Sequence, residues 1–240
     1  MTWTSIISRA FAGWRRPVIN TGPARAVLFD LDGTLADTLP DLSHALSEAM
    51  IEHNIAPVEA AVLRPFVSRG ARAMAAQACG ADADATTLEQ IVTRFLTLYG
   101  AGVSRHTRLF DGMPALLDEL QRRAIPWGVV TNKRAEFSEP LMRALDPQTR
   151  AACIVSGDST ANAKPHPQPL LHACKLLGGV PRHCVYVGDA QTDVLAARRA
   201  GMRSVVALYG YIAPQDNPRD WQADATIDAP RELLAWLDDL

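Results

Sequence analysis

Five short apolar runs punctuate the chain, at residues 26–29, 125–130, 152–155, 184–187 and 204–208. Runs that are apolar on both faces predict strands buried on both sides, the pattern of a parallel sheet. Between them the period lengthens. Apolar residues at 113, 116, 117 and 120 share one helical face, with Pro114 suited to the first turn. Further helices are expected over 167–177 and 192–200, the latter closed by Gly201. Strands alternating with helices predict a parallel α/β sheet with right-handed crossovers.

The connection between the first two runs breaks this rhythm. It occupies residues 36–110 with little strand signal, whereas a plain crossover needs only one helix. Leu42, Ala45, Leu46, Ala49 and Met50 form one helical face, and further helical stretches cover 58–67, 70–79 and 86–99. An inserted helical unit of about 70 residues is expected, since one crossover helix does not account for that length. The chain then divides into an extension (1–25), an α/β core (26–36 and 110–240) and the insert (37–109).

Ligands of open α/β sheets bind beyond the carboxyl ends of the strands. Asp30-Leu-Asp32-Gly-Thr34, Thr131-Asn132-Lys133, Ser156-Gly-Asp158 and the stretch from Gly188 to Asp193 should therefore converge. Asp30 and Asp32, two residues apart after an extended run, point to the same side. Carboxylates so close repel unless a cation or a shared proton intervenes. Asp189 and Asp193 add negative charge from another strand end. Hard oxygen ligands beside a phosphate-type substrate fit Mg²⁺, and such a site lets a carboxylate attack phosphorus to give an aspartyl-phosphate. A helix-capping turn would also place aspartates after a strand, but the preceding apolar run argues against so plain a role.

Composition sharpens this picture. With 48% hydrophobic and 21% charged residues the chain suits a soluble protein, and a formal net charge of −2 gives no sign of nucleic-acid binding. Of 24 basic residues only Lys133, Lys164 and Lys175 are lysines, and a lysine kept where arginine otherwise serves marks a need for a compact charge. Lys164 sits in a loop stiffened by Pro165 and Pro167, whereas Lys133 reads more readily as a surface residue. Asp158 is open between a loop role and the metal site, and His166 is the one histidine placed near Lys164. Cys79, Cys153, Cys174 and Cys184 lack C-x-x-C or metal-ligand spacing, as for reduced thiols in the cytoplasm. Residues 1–25 hold four arginines and no acid, with a short amphipathic stretch at 6–14. No apolar run there reaches the length of a signal peptide or a membrane span. The extension is expected to be disordered or loosely packed, without stable membrane association.

Phe29-Asp-Leu-Asp-Gly-Thr-Leu35 resembles the first signature of the haloacid dehalogenase (HAD) superfamily. Val130-Thr-Asn132, Lys164-Pro165 and Gly188-Asp-Ala-Gln-Thr-Asp193 are similar to its second, third and fourth, in the family's order. The resemblance implies a Rossmann-like core with a parallel sheet, a helical C1-type cap formed by the insert, a Mg²⁺ cofactor and a small phosphomonoester substrate. It implies Asp30 as nucleophile and metal ligand. Asp32 would be the acid and then the base, its backbone carbonyl on the metal. Thr131, Asn132 and Lys164 would bind the phosphoryl group, Lys164 also balancing the charge on Asp30. Asp189 would ligate the metal, and Asp193 would complete or orient the metal shell. The insert contains no lysine, which argues against phosphonate hydrolysis, a reaction that uses a cap lysine in a related family. Arg69, in the loop Val67-Ser-Arg-Gly-Ala71, would read a carboxylate or sugar hydroxyls, or else lie in a surface turn.

More narrowly, the chain resembles phosphoglycolate phosphatases. In residues 67–74, 127–133 and 210–218 it looks like the N-acetylmuramic acid 6-phosphate phosphatases of cell-wall recycling. A dehalogenase is disfavoured by Asp32, for it needs no acid on an alkoxide leaving group. A phosphosugar mutase and a non-enzymatic binding module remain as alternatives, separable by product analysis and by a generic phosphatase assay.

Overall fold

The computed structural model describes residues 26–80 and 83–240. The extension 1–25, with its amphipathic stretch, lies outside the described residues. In chain order the strands are β1 (Ala26–Phe29), β2 (Ala36–Asp37), β3 (Arg108–Leu109), β4 (Trp127–Val130), β5 (Ile154–Val155), β6 (Cys184–Gly188), β7 (Arg203–Ala207) and β8 (Ala225–Ile227). Six form one sheet in the order β5-β4-β1-β6-β7-β8, every neighbouring pair parallel. The chain belongs to the α/β class, as the alternating pattern predicts.

All five expected strands are present. Every residue of β1 is buried, with β4 on one side and β6 on the other. β4 begins at Trp127 and not at 125. Pro126 has no N–H to give the ladder, although its carbonyl accepts from Val27 N at 3.0 Å. The edge strand β8 was not expected, because three residues are too few to show a period.

The helices are α1 (Leu39–Glu52), α2 (Ala60–Leu63), α3 (Ala71–Cys79), α4 (Ala85–Gly100), α5 (Met113–Arg122), α6 (Ala135–Leu145), α7 (Gln168–Leu176), α8 (Gln191–Ala200) and α9 (Glu232–Asp238). α1 to α4 lie between β2 and β3, where the helical insert was expected. Leu42, Ala45, Leu46, Ala49 and Met50 are all buried on α1, in one apolar cluster with Ile91 and Phe95 of α4. Asp84 caps α4 by accepting from Thr86 N and Thr87 N. The helix expected over 58–67 is a short α2 running into a 3₁₀ turn, Arg64–Arg69, because Pro65 has no N–H to carry the α-helical ladder on. α6 runs through Pro140, a residue that reads as a breaker in sequence, with Phe137, Leu141 and Met142 on its buried face.

Entry to the insert and exit from it are tied together. β2 pairs antiparallel with β3, Ala36 opposite Leu109 and Asp37 opposite Arg108. Beside this pair the buried Asp41 carboxylate accepts from His106 N, Thr107 N and the Thr107 hydroxyl, at 2.8–3.0 Å. Hydrogen bonds to a charged group contribute about 1.5–3 kcal/mol. Asp41→Ala is therefore expected to lower the unfolding free energy by about 2–3 kcal/mol in urea titrations. A loss below about 0.5 kcal/mol, the range of ordinary surface substitutions, would mean that the clasp does not hold the insert.

Candidate active site

The end of β1 sets the site. Asp30 N continues the ladder by donating to Val187 O at 2.8 Å, and the Asp30 side chain emerges where the sheet ends. Gly33 follows at φ +80°, a conformation that side chains rarely adopt. A Cβ on Gly33 would run into Asp189 Oδ2, and one on Gly210 would run into Asp189 Cβ. Two backbone turns thus close directly on Asp189. Its carboxylate accepts from the Thr34 hydroxyl at 3.1 Å and from Tyr211 N at 2.7 Å. Asp193, in the first turn of α8, accepts from Ala190 N at 3.0 Å.

Lys164 joins these carboxylates. Its ammonium lies 3.0 Å from Asp30 Oδ1 and donates to Asp193 Oδ1 at 2.8 Å and to the Tyr186 hydroxyl at 2.6 Å. The Tyr186 hydroxyl in turn donates to Val130 O at 2.7 Å. Asn132 locks the lysine backbone from both sides, its Nδ2 donating to Lys164 O at 3.0 Å and its Oδ1 accepting from Lys164 N at 2.9 Å.

Asp30, Asp189 and Asp193 each bring one oxygen within 4.8 Å of the others, and all three are buried. Burial, opposed by Lys164 and reinforced by Asp193, pushes the Asp30 carboxyl up to about 7. Burial, then Asp30 and Asp193, push Asp189 well above the usual carboxylate range. Burial alone would lower the Lys164 ammonium, but Asp193 and Asp30 outweigh it and hold the group above its ordinary value. One ammonium among three carboxylates leaves an excess of buried negative charge, and three hard oxygens around it suit a divalent cation.

Asp32 is held separately. Lys133 donates to its two oxygens at 2.9 and 3.1 Å, and the Thr38 hydroxyl donates at 2.6 Å. The Lys133 ammonium also lies 4.6 Å from the centre of the Tyr99 ring. Lys133 is thus a buried partner of Asp32 and not the surface residue its sequence position suggests. The scarcity of lysine and its place just past β4 were the available signals. Thr131 is buried beside it and accepts from Lys133 N at 3.2 Å. Asp158 accepts from Ala135 N at 2.9 Å, at the start of α6. His166 is exposed and faces a separate groove with Asn162 and Lys175.

A cavity of about 300 Å³ joins core and insert. Asp30, Asp32, Thr131, Asn132, Lys164 and Asp193 line one end, and Arg69, Met74 and Tyr99 line the insert side. The structure therefore brings Arg69 into the same cavity as Asp30, its guanidinium 5.3 Å from the centre of the Phe66 ring. Two residues near the site were not singled out as site residues in the sequence. Arg64 of the insert donates to Tyr209 O at 3.0 Å and Gly210 O at 2.7 Å, and lies 4.9 Å from the centre of the Tyr211 ring. The Tyr211 hydroxyl accepts from Thr38 N and Leu39 N and donates to Asp37 Oδ1 at 2.5 Å.

A parallel α/β sheet with a carboxylate cluster at its strand ends, facing a cavity shared with a helical insert, defines an enzyme core built to neutralise an anionic ester. The chain belongs to the haloacid dehalogenase-like hydrolase family, whose model matches residues 27–207. It is 44% identical over 215 residues to a phosphoglycolate phosphatase of Xanthomonas campestris, covering 88% of this chain and 97% of that one. To an N-acetylmuramic acid 6-phosphate phosphatase of Pseudomonas putida it is 41% identical over 214 residues, covering 89% and 96%. The crystal structure of a predicted phosphoglycolate phosphatase from Haemophilus somnus superposes with a TM-score of 0.80 at 25% identity, covering 90% of this chain and 99% of the other. The chain is a phosphoric monoester hydrolase. No helix among the described residues is long and apolar enough to cross a membrane.

Removing one partner of a buried ion pair costs about 3–5 kcal/mol. Lys164→Met is expected to lower the unfolding free energy of cation-free protein by that amount at pH 8. At pH 5 the loss should shrink, because Asp30, with its carboxyl at about 7, then carries a proton and needs no partner. Urea titrations at both pH values measure the difference. An equal loss at the two would mean that Lys164 does not compensate an ionised Asp30.

Proposed function

We propose that the chain is a Mg²⁺-dependent phosphatase that hydrolyses a small carboxylate-bearing phosphomonoester through an aspartyl-phosphate on Asp30. N-acetylmuramic acid 6-phosphate is the preferred substrate. The observation that carries this proposal is the buried Asp30, Asp189 and Asp193 cluster, with Lys164 on Asp30 at one end of a cavity that Arg69 also lines.

Asp30, Asp189 and Asp193 would hold the cation, together with the Asp32 backbone carbonyl. Bound there, Mg²⁺ would neutralise charge on the phosphoryl oxygens. The other steps belong to the protein's own residues. An Asp30 oxygen attacks phosphorus while the ester P–O bond breaks, and Asp32 gives the departing alkoxide its proton. Asp32 then takes a proton from the water that attacks the aspartyl-phosphate, which releases phosphate and restores Asp30. Lys133 and Thr38 aim the Asp32 carboxylate for both transfers. Lys164 balances Asp30 and the phosphoryl group, and Thr131 and the Asn132 region bind phosphoryl oxygens. Residues 37–109 act as a cap over the catalytic core formed by 26–36 and 110–240, excluding water and selecting the alcohol.

Substrate preference rests on the cavity. At about 300 Å³, with Met74 and Tyr99 on its insert side, it offers more room and apolar contact than a two-carbon ester needs. The second reading, 2-phosphoglycolate, is favoured by the 44% identity to the Xanthomonas enzyme. Both esters carry a carboxylate for Arg69. The four free cysteines suit a cytoplasmic enzyme.

Initial rates on both esters and on p-nitrophenyl phosphate, with Mg²⁺ and with EDTA, test this function. Turnover is expected only with Mg²⁺, and kcat/KM is expected to be highest for the amino-sugar phosphate. Arg69→Ala should lower kcat/KM about 10- to 100-fold on the preferred ester, the size of a charge-assisted hydrogen bond, and far less on p-nitrophenyl phosphate. Equal losses would make Arg69 a support of the cap. A clear preference for 2-phosphoglycolate would overturn the substrate choice.

A further inference from the structure

Lys164 pairs with Asp30 and Asp193, and no ion pair among the described residues reaches the third carboxylate of the cluster, Asp189. Asp189 is held instead by neutral donors, the Thr34 hydroxyl at 3.1 Å and Tyr211 N at 2.7 Å. The shorter bond comes from the loop after β7. Its N–H belongs to the Gly210–Tyr211 peptide, and the carbonyl of that same peptide accepts from Arg64 Nη2 at 2.7 Å. In a planar trans peptide the N–H and the carbonyl point in opposite directions. One rigid plane therefore carries the guanidinium of the insert on one edge and Asp189 on the other. The same Nη2 donates to Tyr209 O at 3.0 Å, and the guanidinium lies 4.9 Å from the centre of the Tyr211 ring.

We infer that Arg64 is a positioning residue, which holds the Gly210–Tyr211 peptide so that its N–H fixes Asp189 for a divalent cation. The seating of the insert on the core then sets the cation affinity. A hydrogen bond from a charged donor is stronger than a neutral one, and bonds joined in a chain polarise one another. The guanidinium on Gly210 O thus makes Tyr211 N–H a better donor to Asp189. Positive charge is brought to bear on the carboxylate that Lys164 leaves unpaired, without a second cationic side chain among the three oxygens that would hold the metal. Rotation of this one peptide plane would break both bonds at once, so losing Arg64 frees Asp189 to turn away from Asp30 and Asp193, the direction that their mutual repulsion favours. This inference rests on the reading of the Asp30, Asp189 and Asp193 cluster as a cation site.

Calorimetric titration of Mg²⁺ into EDTA-stripped, full-length Arg64→Met at pH 8, without substrate, tests it. Losing an outer partner of a metal ligand costs about 10- to 100-fold in metal affinity. Arg64 acts one peptide further out, so the expected loss is at the low end, about tenfold. Arg64→Gln also removes the charge, and it carries the same expectation should the methionine variant fail to fold. Arg64→Lys keeps the charge and can reach one of the two carbonyls, so it should recover part of the affinity. A residue that only anchors the insert would lower the urea midpoint and leave Mg²⁺ binding to the folded protein as it was. Wild-type Mg²⁺ affinity, within about twofold or ~0.4 kcal/mol, in the folded methionine or glutamine variant would overturn the inference. Wild-type protein that bound no Mg²⁺ would overturn the cation reading of the cluster and this inference with it.

Discussion

Three carboxylates forced into one buried volume are the constraint on which the rest of the site depends. Asp30, Asp189 and Asp193 offer oxygens within 4.8 Å of one another, an arrangement that costs free energy in a low-dielectric interior unless positive charge is placed among them. The protein supplies one such charge in Lys164 and fixes it in place. Tyr186 supports the ammonium from below, itself anchored on Val130 O, and Asn132 holds the lysine backbone with two hydrogen bonds. Gly33 and Gly210 let two loops press against Asp189 where any side chain would collide. These contacts orient groups that would otherwise repel, and the charge they leave uncompensated is what makes a divalent cation fit.

The same loops connect the site to the insert. Tyr211 donates its backbone N–H to Asp189 while its hydroxyl receives the first N–H groups of α1. Arg64 of the insert donates to two carbonyls in the same loop. The helices that form one wall of the cavity are therefore anchored on the segment that positions a candidate metal ligand. A displacement of the insert would be felt at Asp189 through Tyr211, with one loop between them.

Much of this was legible in the sequence, for physical reasons that differ from element to element. The buried strands announce themselves because both of their faces are apolar, and the residues just past their ends fall where an open α/β sheet binds ligands. Asp30, Asp189 and Asp193 converge for that reason. The stiff loop around Lys164 and the scarcity of lysine marked its importance. What the sequence hid depends on contacts between segments distant along the chain. Lys133 looks like a surface residue until Asp32, 101 positions away, folds over it. Tyr211, Tyr186 and Arg64 act through hydroxyls and carbonyls that carry no local pattern. Asp158 shows the opposite case, an acid at a strand end whose carboxylate receives a helix N–H. α6 and β8 went unseen, one because Pro140 reads as a breaker and the other because an edge strand of three residues has no period.

Calorimetric titration of Mg²⁺ into EDTA-stripped protein between pH 5.5 and 8 tests the central claim most directly. Without a cation the Asp30 carboxyl is raised to about 7, so the folded protein binds a proton there more tightly than the unfolded chain does. The contribution to stability from that proton is lost as pH rises through about 7. Mg²⁺ and the proton then compete for the same oxygens. Affinity should rise with pH, with protons released on binding where Asp30 is protonated, below about 7. Asp189→Asn, which removes one carboxylate charge from the cluster, should weaken binding throughout. Mg²⁺ affinity that is independent of pH, or unchanged in Asp189→Asn, would contradict a cation held by this cluster.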